Sequence, residues 1–194
     1  MRKVLIVLAL FVFIFTGTSF ATPISLVNVI TFNSTGASSS GDGTGTLDPS
    51  SGFGWGSVNL LDGAGDYVKW TQAFTFSPPP DPGSVTGTIS IKLRDDSNNW
   101  MDGPEFAIAW TNTGSWEIGE VDTGTYNYNV NLNNGSLTVT LASLGGDFYI
   151  DSSTLTVNYS SVAAPVPEPA SMLLVGLGMI SVGFFARKRN KLPK

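Results

Sequence analysis

Apolar and polar residues alternate in short runs through the middle of the chain, and clusters of Gly, Asn, Asp and Pro separate the runs. Successive side chains on a strand point to opposite faces, so this period-two pattern predicts half-buried antiparallel strands. The runs cover residues 25–32, 54–60, 66–76, 84–93, 105–111, 115–118, 125–132, 136–141, 148–150 and 153–159. No stretch of this middle region keeps a helical period. The clearest run is Tyr126, Tyr128, Val130 and Leu132, followed by Asn133-Asn134-Gly135 and then Leu137, Val139 and Leu141. Asn-Gly suits the positive φ values of a tight turn, so the two runs are expected to pair as a hairpin. Asn127, Asn129, Asn131, Thr138 and Thr140 would then lie on its polar face. Short strands punctuated by regular turn signals predict an all-β fold, an antiparallel two-sheet β-sandwich. A jelly-roll-like order is one arrangement the pattern permits. Residues 35–51 are rich in Gly and Ser and poor in apolar residues, so a mobile loop is expected there. Residues 77–83, with four prolines, read as a stiff connection between strands.

Charge divides the chain into three. Of its 194 residues, 1–21 and 163–194 carry Arg2, Lys3, Arg187, Lys188, Arg189, Lys191 and Lys194. Residues 22–162 keep only Lys69, Lys92 and Arg94 against 14 of the 15 acids, a net charge of −11. Such a domain repels phosphate backbones, which argues against a nucleic-acid partner. Divalent cations and polar neutral polymers suit it better. The chain has no Cys and no His. Disulfides, thiol chemistry, Cys/His zinc sites and His-based triads are thereby excluded.

The two ends read as targeting segments. Arg2 and Lys3 precede an apolar run from Val4 to Phe15, and Ser19-Phe20-Ala21 puts small residues at the −3 and −1 positions. This is the layout of a signal peptide over residues 1–21, with cleavage after Ala21. At the other end, Pro165, Pro167 and Pro169 alternate with Val166 and Glu168. Each proline removes an amide donor and fixes φ, so the segment is expected to be extended and accessible to a processing enzyme. Residues 170–186 follow without a charge, then Arg187-Lys188-Arg189. A single transmembrane helix is expected over 170–186; it would measure about 25 Å, slightly thin for a hydrocarbon core. The basic stop at Arg187, Lys188 and Arg189 is expected to stay cytoplasmic, which leaves the middle domain on the periplasmic side of the inner membrane.

The order Val166-Pro167-Glu168-Pro169, apolar segment, basic end resembles the PEP-CTERM sorting signal of exopolysaccharide-producing Gram-negative bacteria. The resemblance covers about residues 165–191 and implies an exosortase partner that recognises Pro-Glu-Pro and processes the tail. It also implies transient residence in the inner membrane, then the cell surface or extracellular space, with exopolysaccharide as a possible neighbour. It carries no implication for residues 22–162.

The segment from Arg94 to Glu105 gathers Asp, Asn and Glu oxygens, which are suitable hard ligands for calcium. Asp95, Asp96 and Asp102 are the candidates, although the spacing is not that of an EF-hand. The competing reading is a polar loop whose Asp and Asn residues cap turns. Glu105, Glu117, Glu120, Asp122 and Asp147 could in principle supply a glycosidase pair, but nothing in the sequence sets two of them across a cleft. No catalytic residue is assigned, and the chain is not read as an enzyme. Five tryptophans could stack on sugar rings. Trp70 and Trp110 sit in strongly alternating runs and are expected in the core, and Trp100 is the best candidate for exposure. Trp55 and Trp116 complete the set. The leading expectation is an exported surface or extracellular-matrix protein. A carbohydrate- or calcium-binding module comes second and a carboxylate-dependent hydrolase third.

Overall fold

The computed structural model describes residues 21–96, 103–112, 114–132, 134–161, 173–174 and 176–181. The chain divides into two units, Thr22–Val162 and a second made of the two ends. The first unit is built from eleven strands: β1 (Pro23–Asn33), β2 (Gly36–Gly41), β3 (Thr44–Leu47), β4 (Leu60–Leu61), β5 (Tyr67–Ala73), β6 (Thr86–Asp95), β7 (Phe106–Thr111), β8 (Gly114–Glu120), β9 (Gly124–Val130), β10 (Ser136–Gly145) and β11 (Phe148–Ser160). Sheet A has the order β2-β1-β11-β6-β9, with β4 also paired to β11, and sheet B has the order β3-β5-β10-β7-β8. Every pairing is antiparallel. The expected all-β, two-sheet class is what the structure shows.

The core lies between the sheets. Trp70, Ile89, Leu93, Leu141, Phe148 and Leu155 are among its fully buried side chains. Burial of each such side chain contributes about 1.5–3 kcal/mol. Phe32 of sheet A meets Trp70 of sheet B edge-on, with ring centroids 5.2 Å apart. At the far edge Trp116 of β8 stacks on Tyr128 of β9 at 4.8 Å, so this aromatic pair closes the sandwich between its two edge strands.

Polar side chains also cross the core. Gln72 of β5 is fully buried and donates from Nε2 to the carbonyl oxygen and to Oδ1 of Asn28 on β1, both at 3.0 Å. Its Oε1 accepts from Ser153 Oγ of β11 at 2.9 Å and from Trp70 Nε1 at 3.3 Å. Asn28 in turn donates to Ser39 Oγ at 2.9 Å and to the Ser40 carbonyl at 3.0 Å. Both edges of this network are satisfied, as buried polar groups require.

Four expectations are corrected. The runs 125–132 and 136–141 do not pair as a hairpin: β9 pairs with β6 in sheet A, while β10 lies between β5 and β7 in sheet B. The Asn134-Gly135 turn joins the two sheets instead. Leu132 is 1% exposed, so the chain passes through the core at this point, and the Gly135 carbonyl accepts from Phe74 N at the end of β5. Residues 35–51 are not a loop throughout, because they hold the edge strands β2 and β3. Gly45 serves close packing: a Cβ there would lie 2.4 Å from Ile30 Cγ1, so only a bare backbone can lie over that core residue. The run 54–60 contributes only Leu60–Leu61 to a strand. Before that, Gly56 N donates to Phe53 O and Leu60 N to Ser57 O, so the segment spends its backbone groups on turns. Finally, 148–150 and 153–159 are one strand, β11. The register against β6 shifts between Ile150 and Ser152. The extra residue of a bulge reverses which face each later side chain occupies, so Phe148 and Ile150 point inward before it and Ser153, Leu155 and Val157 after it.

In the second unit, residues 173–174 and 176–181 are helical. Among the described residues no helix is long and apolar enough to cross a membrane, so the transmembrane helix expected over 170–186 is not found there. Gly176 and Gly178 lie within this stretch, and each lowers helix propensity by about 1 kcal/mol relative to Ala. Residues 1–20, the sorting residues Val166, Pro167, Glu168 and Pro169, and the basic stop Arg187, Lys188 and Arg189 lie outside the described residues. Ala21, the expected signal cleavage site, is described and exposed.

Candidate functional site

The outer face of sheet B carries a groove along its central strand. The register sets Lys69 of β5, Thr140 of β10 and Trp110 of β7 in one row across the sheet, and Tyr67, Ala142 and Ile108 in the next outward row. In both rows a short side chain on β10 separates larger ones on β5 and β7. Strands lie about 4.8 Å apart, so the two walls rise from backbones roughly 10 Å apart. The result is a groove of about 520 Å³, floored by Thr140 and Ala142. Trp110 is 40% exposed, which corrects its expected place in the core. Its run alternates as expected, but Ala107 and Ala109 face inward. The bulky residues of β7 took the outward phase, and only the small size of the alanines could have signalled this.

At the β5 wall Lys69 Nζ pairs with Asp48 Oδ2 at 2.9 Å. Asp48 also accepts from Ser50 N at 2.9 Å. That backbone hydrogen bond and then the Lys69 contact pull the Asp48 carboxyl from 3.8 down to about 2. The folded value lies below the unfolded one, so the contribution is present above the unfolded value and is lost as pH falls through about 2. The Asp48 carboxyl is expected to titrate near 2 by NMR, and titration at the ordinary aspartate value would contradict this pairing. The other two cations are paired as well: Lys92 and Arg94 lie 3.5 and 3.6 Å from the Asp151 carboxylate, and Arg94 also sits 4.2 Å from the Tyr149 ring centroid.

A second cluster forms where β6 ends and β7 begins. One carboxylate oxygen each from Asp95, Asp96 and Glu105 lies within 4.8 Å of the others. Asp95 and Asp96 were expected as calcium candidates. Glu105, 5% exposed, joins them in place of Asp102, which lies outside the described residues, as does Trp100. Glu105 closed the candidate segment in the sequence but was not singled out as a ligand, because its approach depends on the return of β7 beside the end of β6. Three hard oxygens at this spacing are a chemically suitable set for calcium. The backbone around Glu105 is closely fitted. Its carbonyl accepts from Val121 N, and a Cβ on Gly146 would lie 2.8 Å from Glu105 Cα and Cγ. Gly146 also has φ +76°. Gly146→Ala is expected to lower stability by about 1–3 kcal/mol, measurable as a lower thermal midpoint. An unchanged midpoint would contradict the contact.

The remaining candidates scatter. Glu117, Glu120 and Asp122 are exposed, and Asp147 is half-buried beside Gly146. A cleft of about 900 Å³ beside residues 80–88 and 129–132 has one lining carboxylate, Asp81, and the sheet B groove has none. Trp55, 98% exposed, lies in the turn after Phe53.

Residues 165–189 match the model of the PEP-CTERM protein-sorting motif. The chain carries a PEP-CTERM sorting signal. The PEP-CTERM match spans the proline segment, the apolar stretch and the basic end, and it does not extend into the β domain. No curated protein matches the sequence. Among solved structures, the chain is similar to the CBM36-1 domain of a multidomain xylanase from the hindgut metagenome of Trinervitermes trinervoides, at 20% identity over 64% of this chain and 99% of that one, with a TM-score of 0.36. A family 35 carbohydrate-binding module from Cellvibrio japonicus Abf62 is similar at 17% identity over 74% of this chain and 100% of that one, TM-score 0.34. FLHE is similar at 11% identity over 72% and 98% of the two chains, TM-score 0.36. At these values the likenesses carry no functional argument, and the site is read from its own residues.

Proposed function

We propose that this chain is an exported surface or extracellular-matrix protein, sorted through its PEP-CTERM tail and processed there by an exosortase. The match at residues 165–189 carries the reading. In this account a signal peptide is removed after Ala21, residues 170–186 hold the chain briefly in the inner membrane, and Arg187, Lys188 and Arg189 stop it on the cytoplasmic side. The acidic β domain is released beyond that membrane and works there without catalysis. Its self-contained core supports a free-standing role, since the eleven strands of the described residues lie within Thr22–Val162. The test is transfer of the signal. Residues 163–194 appended to an unrelated exported reporter should move it to the surface or medium in a host with an exosortase, and leave it in the inner membrane of the same host without one. A reporter that behaves identically in both hosts would refute the reading.

A second reading is favoured by the convergence of Asp95, Asp96 and Glu105. It gives the domain a structural calcium ion that takes one oxygen from each of the three carboxylates and ties the end of β6 to the start of β7. Calcium at 100 times its dissociation constant would add about 2.7 kcal/mol to stability. The expected result is a raised thermal midpoint with calcium, reversed by chelation and absent in Asp96→Asn. Identical melting with calcium and with chelator would sink it.

A further inference from the structure

The two outer faces of the sandwich differ in chemistry. On sheet A the register lines up Thr154, Ser90 and Asn127 in one outward row and Thr156, Thr88 and Asn129 in the next. Hydroxyls and amides of this kind are what a solvated sheet face carries. The matching positions on sheet B hold Tyr67, Ile108 and Trp110 around the groove, with Leu144 58% exposed at one end. Apolar area left in water in this arrangement marks a binding surface.

We infer that this groove binds an uncharged polysaccharide chain, with Trp110 and Tyr67 as its ring-stacking walls. The lining matches the two-sided chemistry of a pyranose. Its C–H face is apolar and meets an aromatic surface, while its hydroxyl edges meet the Thr140 hydroxyl at the floor and the Lys69 ammonium at the rim. A volume of about 520 Å³ is in the range of small-ligand sites. Charge selects a neutral occupant. The one cation of the groove, Lys69, is already neutralised by Asp48, and the surrounding domain carries a net charge of −11, so a polyanion is repelled. A protein partner fits less well. It needs about 800 Å² of surface, whereas the apolar strip here is bounded by Glu117 of β8 on one side and the Lys69–Asp48 pair on the other.

The test is affinity electrophoresis of the full chain, purified in mild detergent, through native gels containing a soluble mixed-linkage β-glucan, a xylan, a galactomannan or the polyanion polygalacturonate. At least one neutral polymer should retard the protein, and polygalacturonate should not. Trp110→Ala should weaken the retardation about tenfold, as expected for loss of an aromatic platform. Thr140→Tyr, which fills the floor, should abolish it by a different route, and Trp110→Phe should retain most of it. Unfolding midpoints measured on each variant separate loss of the site from loss of the fold. The inference is overturned if no neutral polymer retards the chain, if only polygalacturonate does, or if retardation survives both Trp110→Ala and Thr140→Tyr. It is equally overturned if sedimentation shows a dimer that both substitutions dissociate, for then the groove belongs to a second copy. None of these results bears on the reading of the sorting tail.

Discussion

Replacing Gln72 with alanine should lower the stability of the β domain by about 3–4 kcal/mol, a loss comparable to removing a large core side chain. Gln72 is a fully buried side chain through which sheet B reaches sheet A by hydrogen bonds. Its amide serves the Asn28 backbone and side chain, and its carbonyl oxygen accepts from Ser153 and Trp70. Truncation would leave those groups buried without this partner and open a cavity beside Trp70. A buried donor or acceptor left unmade costs about 1–3 kcal/mol, and the cavity adds to it. Urea unfolding followed by tryptophan fluorescence measures the effect. Gln72→Glu keeps the shape but loses the Nε2 donors, so a loss of similar size is expected at neutral pH. Asn129→Ala, on the solvated face, should stay within about 0.5 kcal/mol. If Gln72→Ala also stayed within that range, the cross-sheet network would contribute nothing.

The second large effect concerns the tail. Changing Pro167, Glu168 and Pro169 together to alanine should abolish processing and lower the amount of protein outside the inner membrane at least about tenfold. Each proline of this segment removes an amide donor and fixes φ, and Glu168 supplies its one charge. Alanines would remove the constraint on φ and raise helix propensity, since alanine is the best helix former. The proline pattern that an exosortase is proposed to recognise would then be lost together with its carboxylate. Fractionation and immunoblotting of a host with an active exosortase would show the variant full-length in the inner membrane. Undiminished release would show that another segment carries the signal.

The sequence disclosed the faces of the strands better than their partners. Tyr126, Tyr128 and Val130 alternate with exposed Thr125, Asn127 and Asn129 as the pattern requires. Yet the same pattern holds whether the next strand pairs beside β9 or crosses to the other sheet. Only the burial of Leu132 decides between them, and that is a tertiary fact. The phase reversal in the last strand was visible as two separate runs, but it takes the bulge near Asp151 to join them into β11. Gly- and Ser-rich β2 and β3 carried no strand signal, because their stability comes from backbone pairing to β1 and β5 and not from side chains. For the sites, the acids at Asp95 and Asp96 were legible by local density, while Glu105 reaches them only through the fold. Trp110 was misplaced because alternation marks two faces without saying which one is inside. The sorting motif at residues 165–189 was legible because its chemistry is linear: prolines, an uncharged stretch and a basic end in fixed order.

The sorting route is the central claim, and intact-mass spectrometry of the C-terminus tests it most directly. The full chain would be recovered from a host with an exosortase and from the same host lacking it. The account predicts a mature chain beginning at Thr22 in both, with a C-terminus cut within or near residues 165–169 only when the exosortase is present. An intact C-terminus at Lys194 in both hosts would contradict it.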